Sequence, residues 1–146
     1  ERMAESSEID LELFKSFKHA RLYWVRSHPD TALIESAASY IPIENFKSIF
    51  TAMEELVKEK SVSRMIFDKR AMRVFHQPSM EWYFVVWKEA MAEFGLVRHV
   101  KILPDDPVFV QSVKIGRGAI DRMYPNARYH QLSIAYAQSV EEAVTK

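Results

Sequence analysis

Five residues of types that do chemistry lie within a dozen positions of one another in the stretch MIFDKRAMRVFHQPSMEWYFVVWKEAM, Met65 to Met91: Asp68, Arg70, Arg73, His76 and Ser79. An acid and an arginine at a strand end could form a ligand-binding edge. Ligands of open α/β sheets collect at the carboxyl ends of strands, and a guanidinium can clamp an anion through two parallel bonds. The same pair also reads as a closed turn, with Asp68 accepting from backbone N–H groups, and this structural reading is the more economical. His76 and Ser79, with Glu81 close by, carry the types of a base, a nucleophile and an orienting acid. Ser79 lacks the flanking glycines of a nucleophile elbow. After Pro78 it suits a helix N-cap, and Glu81 suits a first turn, where the helix dipole favours an acid. Capping accounts for both, so no catalytic residue is assigned. A serine at a helix start tolerates a phosphate, which makes Ser79 the candidate phosphorylation site.

Other constellations are weaker. No two of His19, His28, His76, His99 and His130 have the i, i+4 spacing of a zinc helix, and the chain has no cysteine, so no metal and no cofactor is expected. His99 reads as a partly exposed strand residue that could line a pocket. Lys114-Ile115-Gly116-Arg117-Gly118 has the look of a phosphate cradle but lies inside a helical pattern and lacks the Lys-Ser/Thr ending. It reads as a surface helix packed closely at its glycines, with a basic spot made by Arg122 as the alternative. A small hydrolase or isomerase using Asp68 and His76 would need the two side chains to converge.

These residues must be positioned by elements whose periodicity is legible. Arg21–Ser27 and Thr31–Tyr40 read as an antiparallel hairpin about the His28-Pro29-Asp30 turn. Phe46, Ile49, Phe50, Met53, Leu56 and Val57 form one apolar stripe of a helix from Glu44 to Lys60. Ser63–Phe67 is a strand ending at Asp68, Ser79–Phe94 a helix stopped by Gly95, Val97–Leu103 a strand, Val108–Met123 a helix, and Tyr129–Ala137 a strand. Ser139 and Glu142 make a capping box for a last helix. Leu11–Phe17 reads either as a helical turn or as an added strand. The order is β-β-α-β-α-β-α-β-α: a single α/β domain over residues 21–146 with a mostly parallel sheet, preceded by a tail or short extra element over residues 1–20.

Composition narrows the function. Hydrophobic residues make up 48%, enough for a real core, and 20 basic residues balance 20 acidic ones. A net charge of zero argues against a nucleic-acid partner. No apolar run approaches the length of a transmembrane segment, so a cytoplasmic location is the expectation. Trp82, Tyr83, Phe84 and Trp87, with Tyr23 and Trp24, exceed what one helix face buries. The surplus implies a homodimer contact or the wall of a pocket for an apolar small molecule.

The opening hairpin, the IENFKSIFTAMEELV helix, MIFDKRAM, the EWYFVVW helix, GLVRHVKILP and the closing SVEEA helix together resemble the STAS-like superfamily. Nearest is its branch of bacterial sporulation anti-sigma-factor-antagonist-like, single-domain proteins. The resemblance covers Leu22 to Lys146 and rests on element order, the Asp68-x-Arg70 turn and the capped last helix. It implies successive β/α units and regulation by protein contact. Regulatory members carry a phosphorylated serine in an Asp-Ser-Ser-Gly setting; here the turn reads HQPSMEW, without that aspartate or glycine. Other relatives carry lipids. The expectation is therefore a non-enzymatic regulatory or ligand-binding module that contacts a protein partner or a second copy of itself. Its binding residues would be Asp68, Arg70, Arg73, His76, Ser79, Trp82 and Trp87, with carriage of a lipid or small apolar ligand between sheet and helices as the alternative.

Overall fold

The computed structural model describes residues 8–146. Six strands form one sheet in simple sequential order: β1 (Leu11–Ser16), β2 (Ala20–Val25), β3 (Thr31–Ser36), β4 (Arg64–Asp68), β5 (Arg98–Ile102) and β6 (Ser133–Ala137). The first three are antiparallel neighbours, and β3 to β6 are parallel. Parallel neighbours need crossovers, and three helices supply them: α1 (Ile43–Lys60), the long helix α2 over residues 77–92, and α3 (Pro107–Met123). A short α4 (Val140–Ala143) closes the chain.

Alternation along the strands divides the interior in two. Met65 and Phe67 of β4 join Leu22 and Ile34 under the three long helices, while Ile66 joins Leu33, Val100 and Ile102 under α4. Central parallel strands are thus buried on both faces. The helix-side layer is dominated by aromatic rings. Phe50 packs on Phe46, Phe67, Tyr83 and Trp87 with centroids 4.4–5.6 Å apart, and the Trp87 indole donates to the Phe50 carbonyl at 2.9 Å. Tyr83, Phe84 and Trp87 of α2 are therefore spent within the chain, while Trp82 stays partly exposed. Trp87 is a core residue, 2% exposed, and not part of an accessible binding face.

The α/β class and the parallel half of the sheet agree with the sequence reading; several boundaries differ. Leu11–Ser16 is an added antiparallel strand, so the order gains a strand and the sheet takes in part of the 1–20 segment. Strand β3 stops at Ser36, and a 3-10 turn, Arg128–Gln131, replaces the first residues expected of β6. Helix α2 starts at Gln77, with His76 at the N-cap and Pro78 in the first turn, where its missing N–H costs nothing. Ser79 therefore lies inside the first turn and is not the cap. The middle of α2, Tyr83–Trp87, is π-helical: Lys88 N–H reaches back to the Tyr83 carbonyl. Gly95, at φ 94°, ends this segment as expected.

Gly116 lets α3 lie close to α2. Gln77 Nε2 donates to the Gly116 carbonyl at 3.0 Å, and a Cβ on Gly116 would overlap the Gln77 amide. Asp106 starts α3 by accepting from Val108 N at 3.1 Å and Phe109 N at 3.2 Å. Asp106→Ala should therefore cost about 1 kcal/mol in urea unfolding; an unchanged midpoint would show that Pro107 alone sets the helix start.

Candidate functional site

The turn after β4 is closed by its own residues. Asp68 Oδ1 accepts from Arg70 N and Nε, both at 3.0 Å, and Oδ2 accepts from Nη2 at 2.8 Å. This holds the guanidinium in place and raises its pKa, chiefly through the bonds to Asp68. Arg70 nevertheless stays half exposed. Arg73 is exposed, and its Nη1 donates to the carbonyls of Arg70 and Met72. His76 Nδ1 and Ser79 Oγ are hydrogen-bonded at 3.1 Å. Asp68 and His76 are thus committed to different partners, and they do not form an acid–base pair. Ser79 is fully buried, so a kinase could reach its hydroxyl only if the start of α2 opened. Glu81 accepts from the Tyr124 hydroxyl at 2.8 Å. Trp82 is partly exposed, stands edge-on to Phe46 and Phe50, and lines a groove of about 310 Å³ with Ile43, Lys47, Pro78 and Val86.

A larger cleft, about 580 Å³, opens where β4, β5 and β6 end. Arg70, Lys101, Leu103, Asp105, Tyr136 and Gln138 are among its lining residues. This is the carboxyl edge at which open α/β sheets receive ligands.

Behind that cleft the helix-side layer holds a group of cations. Lys69 and Lys88 are fully buried, and Lys101 is 3% exposed. Among the described residues, Lys69 Nζ, Lys88 Nζ and both ring nitrogens of His99 have no hydrogen-bond partner, and the ion pairs include none of the three lysines. What they meet is aromatic. The Phe84 ring faces Lys88 at 4.5 Å, Lys101 at 5.1 Å and the Arg117 guanidinium at 5.7 Å. Lys69 lies 4.9 Å from the Phe67 ring and 5.2 Å from that of Phe75. Ring quadrupoles soften the loss of water from an ammonium group but do not replace it.

The electrostatic consequences follow. Burial, then the neighbouring Arg117, pushes Lys101 down to about 7, with Asp121 opposing the shift. Burial drives Lys69 and Lys88 well below the ordinary lysine range, helped by Lys101 and Arg117 and, for Lys88, by Lys69. Burial also holds His99 well below its usual value, with Lys88 and Lys101 adding repulsion. His99 is 2% exposed, not the partly exposed strand residue expected. The reason is topological: β5 is a central parallel strand covered on both faces, and past Arg98 at its start every position is buried. Asp121 is also the acceptor for the Tyr129 hydroxyl.

Sequence reading named Arg70 and passed over Lys69, Lys88 and Lys101. A signal was present. Lys88 follows Met80, Phe84 and Trp87 at core spacing on α2, and His99 and Lys101 alternate with Val100 and Ile102 in a central strand. Arg117, read as part of a surface helix, reaches the cluster.

Among the described residues no three His, Cys, Asp or Glu side chains converge as metal ligands, and no helix is long and apolar enough to cross a membrane. The chain matches no family model and no curated protein.

The cluster makes a testable demand on stability. Between a lysine's depressed folded pKa and its ordinary value near 10.5, the unfolded chain binds more protons, so stability climbs with pH. For Lys101 that window opens near pH 7. Each such lysine contributes a slope of up to about 1.4 kcal/mol per pH unit. Lys69 and Lys88, also lowered by burial, add to the climb. Tyr83, whose ionisation burial pushes up, ends it near the ordinary tyrosine pKa of 10.0, where the unfolded chain begins to lose that proton. Urea unfolding from about pH 6 to about pH 10 should show the rise, and Lys88→Met should flatten it while raising stability at pH 6. A flat or falling wild-type profile would mean the lysines are hydrated or paired.

Proposed function

We propose that this chain is a non-enzymatic regulatory module of the STAS-like kind, acting through contact with a protein partner at the rim where β4, β5 and β6 end. One observation carries the reading: Arg70 is locked into a fixed orientation by Asp68 while staying half exposed at the mouth of the strand-end cleft. A guanidinium fixed before binding loses little entropy when a partner's carboxylate or carbonyl meets it. Exposed Arg73 and Val74 extend that surface along the turn, and Trp82 supplies an aromatic contact in a separate groove. Arginine and tryptophan are the types that dominate binding energy at interfaces. The order of strands and crossovers, the Asp68–Arg70 turn and the capped α4 support the STAS-like assignment. With Ser79 buried, regulation by phosphorylation would need local opening of α2 and forms no part of this reading.

A carrier role is the second reading, and a specific observation directs it. Aromatic rings pack the space between sheet and helices, so an apolar ligand would lie in the outer groove beside Trp82 and Val86. Two measurements separate the readings. Arg70→Ala and Trp82→Ala should each weaken capture of a cross-linked partner about tenfold or more, with circular dichroism unchanged; capture unaffected by either removes the protein-contact reading. Native mass spectrometry should give the bare chain or a homodimer. Added mass that is lost on denaturation would instead favour the carrier.

A further inference from the structure

We propose that Lys101, backed by Lys69, Lys88 and Arg117, forms the inner end of a binding site for a compact, multiply charged oxyanion, the phosphate or carboxylate group of a small ligand. It rests on the strand-end cleft being the working surface, because Lys101 belongs both to that cleft and to the cluster behind it.

The geometry supports this from three directions. Four separate elements bring cations together: Lys69 follows β4, Lys88 comes from α2, Lys101 from β5 and Arg117 from α3. Lys88, Lys101 and Arg117 share one ring, Phe84. Against these cations the fold offers Asp121, which already accepts from Tyr129. The cleft lining contributes a further cation, Arg70, two of whose guanidinium nitrogens are held by Asp68, and one acid, Asp105. Buried cations are stable when paired and hydrogen-bonded. An oxyanion supplies both charge and acceptors at once, and it meets donors that are already in place.

The same features define what the ligand is not. A nucleic acid or a membrane surface needs exposed lysines, whereas these lie behind the protein surface. A wholly apolar ligand leaves the ammonium groups as they are. The ligand must also be small, because Lys101 is reached through a cleft of about 580 Å³ with Leu103 and Tyr136 among its walls. Binding should draw protons in, since the anion favours the charged form of each lysine it faces.

The test uses inorganic phosphate and malonate as probes in isothermal titration calorimetry and thermal unfolding, with sodium chloride at matched ionic strength as the reference. For the wild-type chain near pH 8, a saturable heat is expected with at least one probe. That heat should differ between buffers of different ionisation enthalpy, by an amount that reports proton uptake. The melting temperature should rise beyond the sodium chloride control. The preferred probe assigns the group, phosphate to phosphoryl and malonate to carboxylate. Lys101→Met should weaken binding by about tenfold or more and remove the largest share of the proton uptake. Lys88→Met, deeper and away from the cleft lining, should lower the proton uptake with a smaller loss of affinity. No saturable binding of either probe overturns the proposal, as does a Lys101→Met protein, folded by circular dichroism, that binds like wild type. If that occurs while Arg70→Ala still weakens partner capture, the oxyanion site fails and the protein-contact reading survives.

Discussion

An ammonium group removed from water without a counter-charge costs several kcal/mol unless it gives up its proton, and this fold buries three lysine side chains in a single layer. The rest of the architecture accommodates that cost. Phe84, Phe67, Phe75 and Tyr83 turn their rings to the lysines, which is the best that an apolar layer can offer a cation short of water or an anion. The low dielectric that makes the cations expensive also makes them sensitive. Whatever negative charge reaches them interacts more strongly than it would at a hydrated surface.

Position in the sheet explains why the cluster can communicate with the surface. Lys101 is one residue from the end of β5, and Lys69 directly follows β4, so the cations gather just inside the rim where the parallel strands stop. Helix α2 spans the same layer. Its π-helical turn lies immediately before Lys88, between Tyr83 and Trp87, whose side chains anchor it to α1. Helix α3, held to α2 by Gln77 and the Gly116 backbone, brings Arg117 and Asp121 to the opposite side. The Asp68–Arg70 turn then forms the outer lip. The binding edge and the structural turn weighed for these two residues are the same object, because the bonds that close the turn also fix the arginine that faces the cleft.

Much of this was legible in the residues, and the exceptions have physical causes. The stripe Phe46, Ile49, Phe50, Met53, Leu56, Val57 gives α1 directly, and Asp68, the Gly95 stop and the Ser139 cap lie where local chemistry puts them. The segment LELFKS resists reading because its residues suit a helix as well as an edge strand, and pairing with β2 decides the matter. Ser79 resembles an N-cap in isolation, but Pro78 fits the first turn and moves the start upstream. The lysines were missed for a different reason. Lysine is ordinarily a surface residue, so its presence at the core position of Lys88 and in the central strand at Lys101 reads as noise until both faces of the sheet are seen to be covered.

The most direct test of this account is a pH titration of the lysine side chains by NMR, following the Cε and Nζ resonances of the folded protein in the absence of phosphate. The account requires Lys101 to titrate near 7 and Lys69 and Lys88 well below the ordinary lysine value. If Lys69, Lys88 and Lys101 all titrate close to 10.5, the layer is hydrated or its charges are already paired, and the buried cation cluster is not the feature on which this fold depends.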